Sequence, residues 1–219
     1  MIYFDAHCHL MNEDVFLKAQ DNDVRFFIVN TTHPNEWERV ADLNKRQTGI
    51  YFCAGVHPWF ISDLPKGWQN DLEDFLTRYP NAMIGEIGLD KTKPFFEQQM
   101  KVFQDCLDIA SRFNRKVHIH CIKAWDEMLS ALIQFREVQP LFHRFCGDEY
   151  IVHKLRMFNA YFSVLNGRYL SVIRDNRLLV ETDSPDGLKT PSAIPELVRT
   201  LHLDPNYLYQ TFREFLGEL

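Results

Sequence analysis

The sequence predicts an α/β fold, a TIM-like (β/α)8 metallo-barrel, and three observations predict it. Eight short apolar runs, rich in β-branched and aromatic residues, alternate with longer amphipathic segments. Histidines and carboxylates recur at the carboxyl ends of those runs, the face where barrel enzymes build their sites. No low-complexity stretch, block of like charge or Gly/Ser linker divides the chain, so residues 1–219 read as one domain.

The expected strands are Ile2–His7, Arg25–Asn30, Tyr51–Gly55, Ala82–Gly85, Lys116–His120, Pro140–Phe142, Ala160–Ser163 and Leu178–Val180. Helical patterns lie between them. Pro34–Thr48 opens on a proline suited to a first turn. Trp68–Arg78, Pro94–Phe113 and Trp125–Arg136 carry apolar residues at helical spacing. Two more helices are expected near Ser192–Leu201 and Asp204–Leu216. Strands separated by helices imply a parallel sheet, and eight of them imply closure. The compressed unit is Val164–Arg177, where the crossover helix must be short or missing. With 219 residues the chain sits at the short end for a fold of usually ~250.

Composition narrows the function. The net charge of −6 argues against a histone-like coat of positive charge, while leaving room for a local phosphate site. No apolar run approaches the ~20 residues that cross a bilayer, so no membrane role is expected. The start Met1-Ile2-Tyr3-Phe4-Asp5 lacks a basic segment, so no secretory leader is expected. The five cysteines are scattered and form no CxxC, which favours a reducing cytoplasm over a disulfide framework or a zinc finger. GxSxG, GxGxxG and GxxxxGK[ST] are absent, so neither a serine nucleophile nor a nucleotide cofactor is implied.

The chemistry-bearing residues cluster at five strand ends. In Asp5-Ala6-His7-Cys8-His9, alternation puts Asp5, His7 and His9 on one face. Two imidazoles there suit a shared metal ion, with Asp5 a layer deeper to orient a ligand. Glu86, flanked by Gly85 and Gly88, is expected on a tight turn after strand four, where a carboxylate can bridge two cations. In Val117-His118-Ile119-His120, His120 is the ligand candidate and His118 a buried partner below it. His143 follows strand six, with Arg144 beside it to meet an anion. Asp183 ends strand eight, able to ligate a metal and to move a proton to or from a bound water, and Glu181 shares its face.

Barrel closure brings His7, His9, Glu86, His120, His143 and Asp183 to one mouth. Four imidazoles and two carboxylates suit Zn, Mn, Co or Ni more than the pure oxygen sites of Mg or Ca. The count fits two divalent ions about 3.5–4 Å apart, the arrangement of metal-assisted hydrolysis.

The segments DAHCHL, GVHPW at Gly55–Trp59, GEIGLD at Gly85–Asp90, VHIHC at Val117–Cys121, HRFCG at His143–Gly147 and ETDSP at Glu181–Pro185 resemble, in order, those of the TatD family of metal-dependent hydrolases. That resemblance implies an amidohydrolase-like barrel with two divalent ions (Zn, Mn, Mg, Co or Ni). It implies His7 and His9 on one ion, His120 and His143 on the other, Glu86 bridging, and Asp183 completing the first and serving as acid/base. Glu86 and Asp183 are thus the catalytic pair, and His57 falls in the substrate pocket. Two departures stand out: the family's arginine two places after the strand-five histidine is Ile122 here, beside Lys123, and the chain is shorter.

The function so implied is cleavage of DNA phosphodiester bonds, on single strands or ends, with no obligate protein partner. Arg144, Lys123 and Lys91 would contact phosphates, and Trp59, Phe60 and Trp125 would stack bases. The competing reading is a small-molecule amidohydrolase, lactonase or esterase on the same metals, favoured by the acidity and by Ile122. A barrel kept only for binding would have lost ligands, and none of the six is missing.

Overall fold

The computed structural model describes residues 1–173 and 177–218. Eight strands form one parallel sheet in chain order: β1 Tyr3–Cys8, β2 Val24–Asn30, β3 Ile50–Ala54, β4 Met83–Asp90, β5 Val117–Ile122, β6 Pro140–Phe142, β7 Tyr161–Val164 and β8 Leu178–Val180. The seam between the last strand and the first is joined just beyond β8. There Asp183 N donates to His7 O and His9 N donates to Ser184 O, both at 2.8 Å. The predicted (β/α)8 barrel is therefore what the chain forms.

The helices are α1 Glu13–Gln20, α2 Trp37–Arg46, α3 Trp68–Arg78, α4 Phe96–Phe113, α5 Trp125–Gln134, α6 Glu149–Leu155, α7 Ile194–Thr200 and α8 Pro205–Leu216. Their buried faces follow the sequence pattern: Leu72, Phe75 and Leu76 on α3, Phe103, Leu107 and Ala110 on α4, and Met128 and Leu132 on α5 all reach the core. The floor of the barrel is plugged by α8. Phe212 stacks on Phe4 of β1 at 4.2 Å between ring centroids, and Phe215 lies against His118 and Tyr161. The opposite end, where the strands finish, is left open to the site.

Several expectations are corrected. β4 does not end at Gly85 in a turn; it runs to Asp90, with Glu86 inside the strand. Its glycines serve close approach. Gly88 has φ +149°, and a Cβ there would lie 1.9 Å from the carbonyl oxygen of His120. The pattern also missed α1 and α6, which have eight and seven residues, only about two turns each. Each is announced by a cap: Asn12 accepts from Asp14 N at 3.0 Å and Asp148 from Ile151 N at 2.9 Å. Pro34–Glu36 is a separate 3-10 turn ahead of α2, and α4 starts at Phe96 because Phe95 is left-handed, with φ +62°. In Val164–Arg177 the described residues hold only the 3-10 turn Gly167–Tyr169; residues 174–176, like Leu219, lie outside the described residues. No helix among the described residues is long and apolar enough to cross a membrane.

Candidate metal centre

Parallel strands put their carboxyl ends at one mouth, and alternation turns every second side chain inward. All six predicted ligands meet there. The meeting is organised by Glu86, which is buried and whose two carboxylate oxygens face different histidines. Oε2 lies 3.2 Å from His7 Nε2 and 3.0 Å from His9 Nε2. Oε1 lies 2.7 Å from His143 Nε2, 3.0 Å from His120 Nδ1 and 3.1 Å from His57 Nε2. On the first side Asp183 Oδ1 completes the group, 3.4 Å from His9 Nε2 and 3.8 Å from His7 Nε2.

Two sets of donor atoms with the spacing of a metal site follow: His7, His9 and Asp183 on one side, and His57, Glu86 and His120 on the other. A third set, His7, His143 and Glu181, shares His7 with the first. The fit to cations is visible in the polar atoms. Glu86 Oε1, although ringed by three imidazoles, has no hydrogen bond of acceptable geometry, and neither do His7 Nδ1, His120 Nε2 or His143 Nδ1. Buried polar atoms are normally satisfied. An unbonded carboxylate oxygen with imidazole nitrogens 2.7–3.1 Å from it offers the donor set that a cation would satisfy.

Electrostatics agree. Burial alone would raise the Glu86 pKa, but the imidazoles of His143, His57 and His120 beside it hold it well below the usual carboxylate range. Burial likewise works against Asp183, and His9, His143 and His7 nonetheless keep it depressed. Burial with His143 close by lowers His7 to about 3, so it stays neutral and able to ligate. His9 and His120 go the other way: against burial, Asp183 and Glu86 push His9 well up, while Asp90 and Glu86 push His120 up to about 9.

The surrounding residues hold these groups in place. Asn30 O lies 3.0 Å from His9 Nδ1. Asp5, a layer deeper as expected, accepts from Thr182 N at 2.9 Å and from the Thr182 hydroxyl, so it anchors the segment carrying Asp183. Burial pushes the Asp5 carboxyl up to about 7. Glu181 accepts from Arg144 N at 2.6 Å and from the Ser163 hydroxyl at 2.5 Å. His118 is fully buried and stacked at 5.8 Å from His7, with neither ring nitrogen bonded.

A cavity of about 490 Å³ opens beside this cluster, lined by His120, His143, Ile122, Arg144 and the loop after β7.

The family described as "TatD related DNase" matches residues 4–216. The chain belongs to the TatD-related DNase family. It is 28% identical to "Uncharacterized metal-dependent hydrolase YcfH" of Escherichia coli K12, across 84% of this chain and 78% of that protein. It is 26% identical to "Deoxyribonuclease TATDN3" of Homo sapiens, across 83% and 77%. The crystal structure of YJJV, a TatD homolog from Escherichia coli K12, superposes with a TM-score of 0.87 at 22% identity, covering 96% of both chains. This TatD-family chain is accordingly an ester-bond hydrolase whose relatives are named metal-dependent, with residue groups placed to bind metal.

Within this TatD-family site the remaining sequence candidates separate. Arg144, left-handed at φ +41°, places Nη1 2.9 Å from Asp183 Oδ2 and lines the cavity. His57 lies closer to the centre than a substrate-pocket residue, within reach of Glu86. Lys123 is exposed and does not line the cavity; Lys91 is paired with Glu127 at 2.6 Å. Trp125 packs on Phe142 and Phe145 instead of facing a ligand. Asp90 went unnoticed, although it accepts from Trp59 Nε1 at 2.8 Å and lies 3.7 Å from His120 Nε2. The signal was present: Glu86, Gly88 and Asp90 alternate, so a longer β4 would have put Asp90 on the inward face. Lys93 and Arg168, also on the cavity wall, carry no sequence signal that distinguishes them from surface charges.

Proposed function

We propose that this TatD-family hydrolase cleaves DNA phosphodiester bonds, at ends or in single strands, as one cytoplasmic domain spanning residues 1–219. Two divalent ions would be held by His7, His9 and Asp183 on one side and His120 and His143 on the other, with Glu86 between them. Zn, Mn, Co or Ni suit this nitrogen-rich donor set, and Mg remains a candidate. When bound, the ions would supply Lewis-acid polarisation of the phosphoryl oxygens and a water that ionises near neutral pH.

The chain's own residues do the rest. Glu86, held ionised and buried, fixes the separation of the two histidine groups. Asp183, also held ionised, is placed to take a proton from the attacking water and return it to the leaving oxygen. Arg144 pairs with Asp183 and faces the cavity, so its guanidinium can meet the non-bridging oxygens of the phosphate. His57 adds an imidazole beside Glu86 that is held neutral by burial, despite the pull of that carboxylate. Five free cysteines fit a reducing compartment.

The observation that carries this reading is the division of the two Glu86 oxygens between separate imidazole groups. The test is a metal-supplemented assay on a single-stranded oligonucleotide beside carboxylic esters, amides and lactones, with a chelator control. Metal-dependent release of nucleotides supports the proposal. Turnover of a lactone or amide with no nucleotide release would move the assignment to the small-molecule reading, which Ile122 on the cavity wall favours.

A further inference from the structure

The 490 Å³ cavity extends well beyond the histidine cluster. It is lined by His120, His143 and Arg144, by Arg168 and Tyr169 after β7, and by Trp59 with Lys93. A volume of this size holds a group much larger than one phosphate.

The charges along it are uneven. Lys93, Arg144 and Arg168 line it in a chain whose net charge is −6. Among the described residues the single acid on the wall is Asp90, already engaged by Trp59, by Thr92 N at 2.8 Å and by the Thr92 hydroxyl at 2.5 Å. Arg144 is committed to Asp183. Arg168 has no carboxylate partner among the described residues; its guanidinium lies over the Tyr169 ring at 5.3 Å. Both arginines pull the Cys146 thiol down against the dominant effect of burial, and all three residues line the cavity. Lys93 Nζ sits 4.1 Å over the Trp59 ring, and Trp59 is 49% exposed. Trp59 is a flat apolar surface held by its indole N–H, in a cleft also lined by Lys93, Arg144 and Arg168.

We propose that the outer half of the cavity is a subsite for a second phosphate of the same strand, adjacent to the scissile one, bound by Arg168 and Lys93 while the intervening base stacks on Trp59. This rests on the phosphodiester reading and adds the substrate class: a strand bearing at least two phosphates, preferred over an isolated diester. Phosphate recognition by a guanidinium and stacking on an aromatic ring are the two contributions that single-strand sites combine. Arg168 is exposed and outside the core, so its replacement leaves the fold intact.

The experiment compares three substrates with the zinc- or manganese-loaded enzyme: a thymidine dinucleotide without terminal phosphates, and the same dinucleotide carrying a 5′- or a 3′-phosphate. The native enzyme should cleave one phosphorylated form with kcat/KM roughly tenfold above the bare dinucleotide, corresponding to about 1.4 kcal/mol. Arg168→Ala should erase that preference while leaving the bare dinucleotide within about twofold, and Arg168→Lys should keep much of it. Binding of a labelled single-stranded oligonucleotide should lose roughly 0.7 from its salt slope in Arg168→Ala, one phosphate contact's worth. Equal rates on all three substrates, or a uniform loss in Arg168→Ala, would overturn the subsite while leaving the phosphodiesterase standing. Cleavage of none, with esters or lactones turned over instead, would overturn both.

Discussion

Gly55 is the position where a single methyl group should disable the site without replacing a candidate ligand. A Cβ there would lie 2.2 Å from the Gly85 carbonyl carbon, 2.5 Å from its oxygen and 2.6 Å from Glu86 N, where ordinary contact begins at 3.4 Å. All three are backbone atoms, so nothing can rotate aside. Gly55 itself is pinned: Thr31 Oγ1 accepts from its N–H at 3.0 Å, and Trp37 Nε1 donates to its carbonyl at 3.1 Å. The chain after β3 and the middle of β4 must therefore part by about 1 Å, and the residue displaced is Glu86. Its oxygens lie 2.7–3.2 Å from five imidazole nitrogens, so a shift of that size is comparable with the tolerance of the whole arrangement. Misplacement by about 1 Å commonly costs ~100-fold in rate. Gly55→Ala should fold, with unchanged far-ultraviolet circular dichroism, and lose roughly that factor in kcat/KM on the oligonucleotide. Elemental analysis should show less bound metal than the native chain. Native activity with native metal content would refute the argument that this close approach positions Glu86.

Further outcomes follow from the same geometry. Because His9 and His120 are raised, they hold protons at neutral pH until metal displaces them. Metal affinity and activity should fall together on acidification, and extra metal should move the acid limb to lower pH; a midpoint indifferent to metal, with metal still bound, would assign it to another group. Phe212→Ala removes the ring that plugs the barrel floor against Phe4 and should cost about 3–5 kcal/mol in urea unfolding; a loss under about 1 kcal/mol would show that α8 is not part of the core. His118→Ala should lower activity by ~10–100-fold through packing beneath His7, and Glu86→Ala by more; equal losses with equal metal content would show that the wrong histidine layer is assigned.

Much of this was legible because strand alternation and barrel closure are strong constraints. Once strands one, four, five, six and eight are placed, His7, His9, Glu86, His120, His143 and Asp183 must converge, and they do. What escaped has physical causes. Glycines in GEIGLD read locally as a turn, because a sequence does not reveal that Gly88 faces the backbone of His120 across the sheet. The helices α1 and α6 have only eight and seven residues, too few for a periodic signal to rise above the loops, although their caps were readable. His57 sits in a loop after β3, and only tertiary packing brings its ring to Glu86. Arg168 looks like any solvated charge until the cavity joins it to His143.

The central claim is that one carboxylate, Glu86, joins two separate cation sites. The most direct measurement is metal stoichiometry by elemental analysis in the native chain and in three variants, each with its activity. The account predicts two divalent ions per native chain, about one in His9→Ala and about one in His120→Ala. It predicts fewer than either in Glu86→Ala, with activity lost throughout. Two ions retained in Glu86→Ala, or one ion at most in the native chain after incubation with Zn, Mn and Mg, would contradict it.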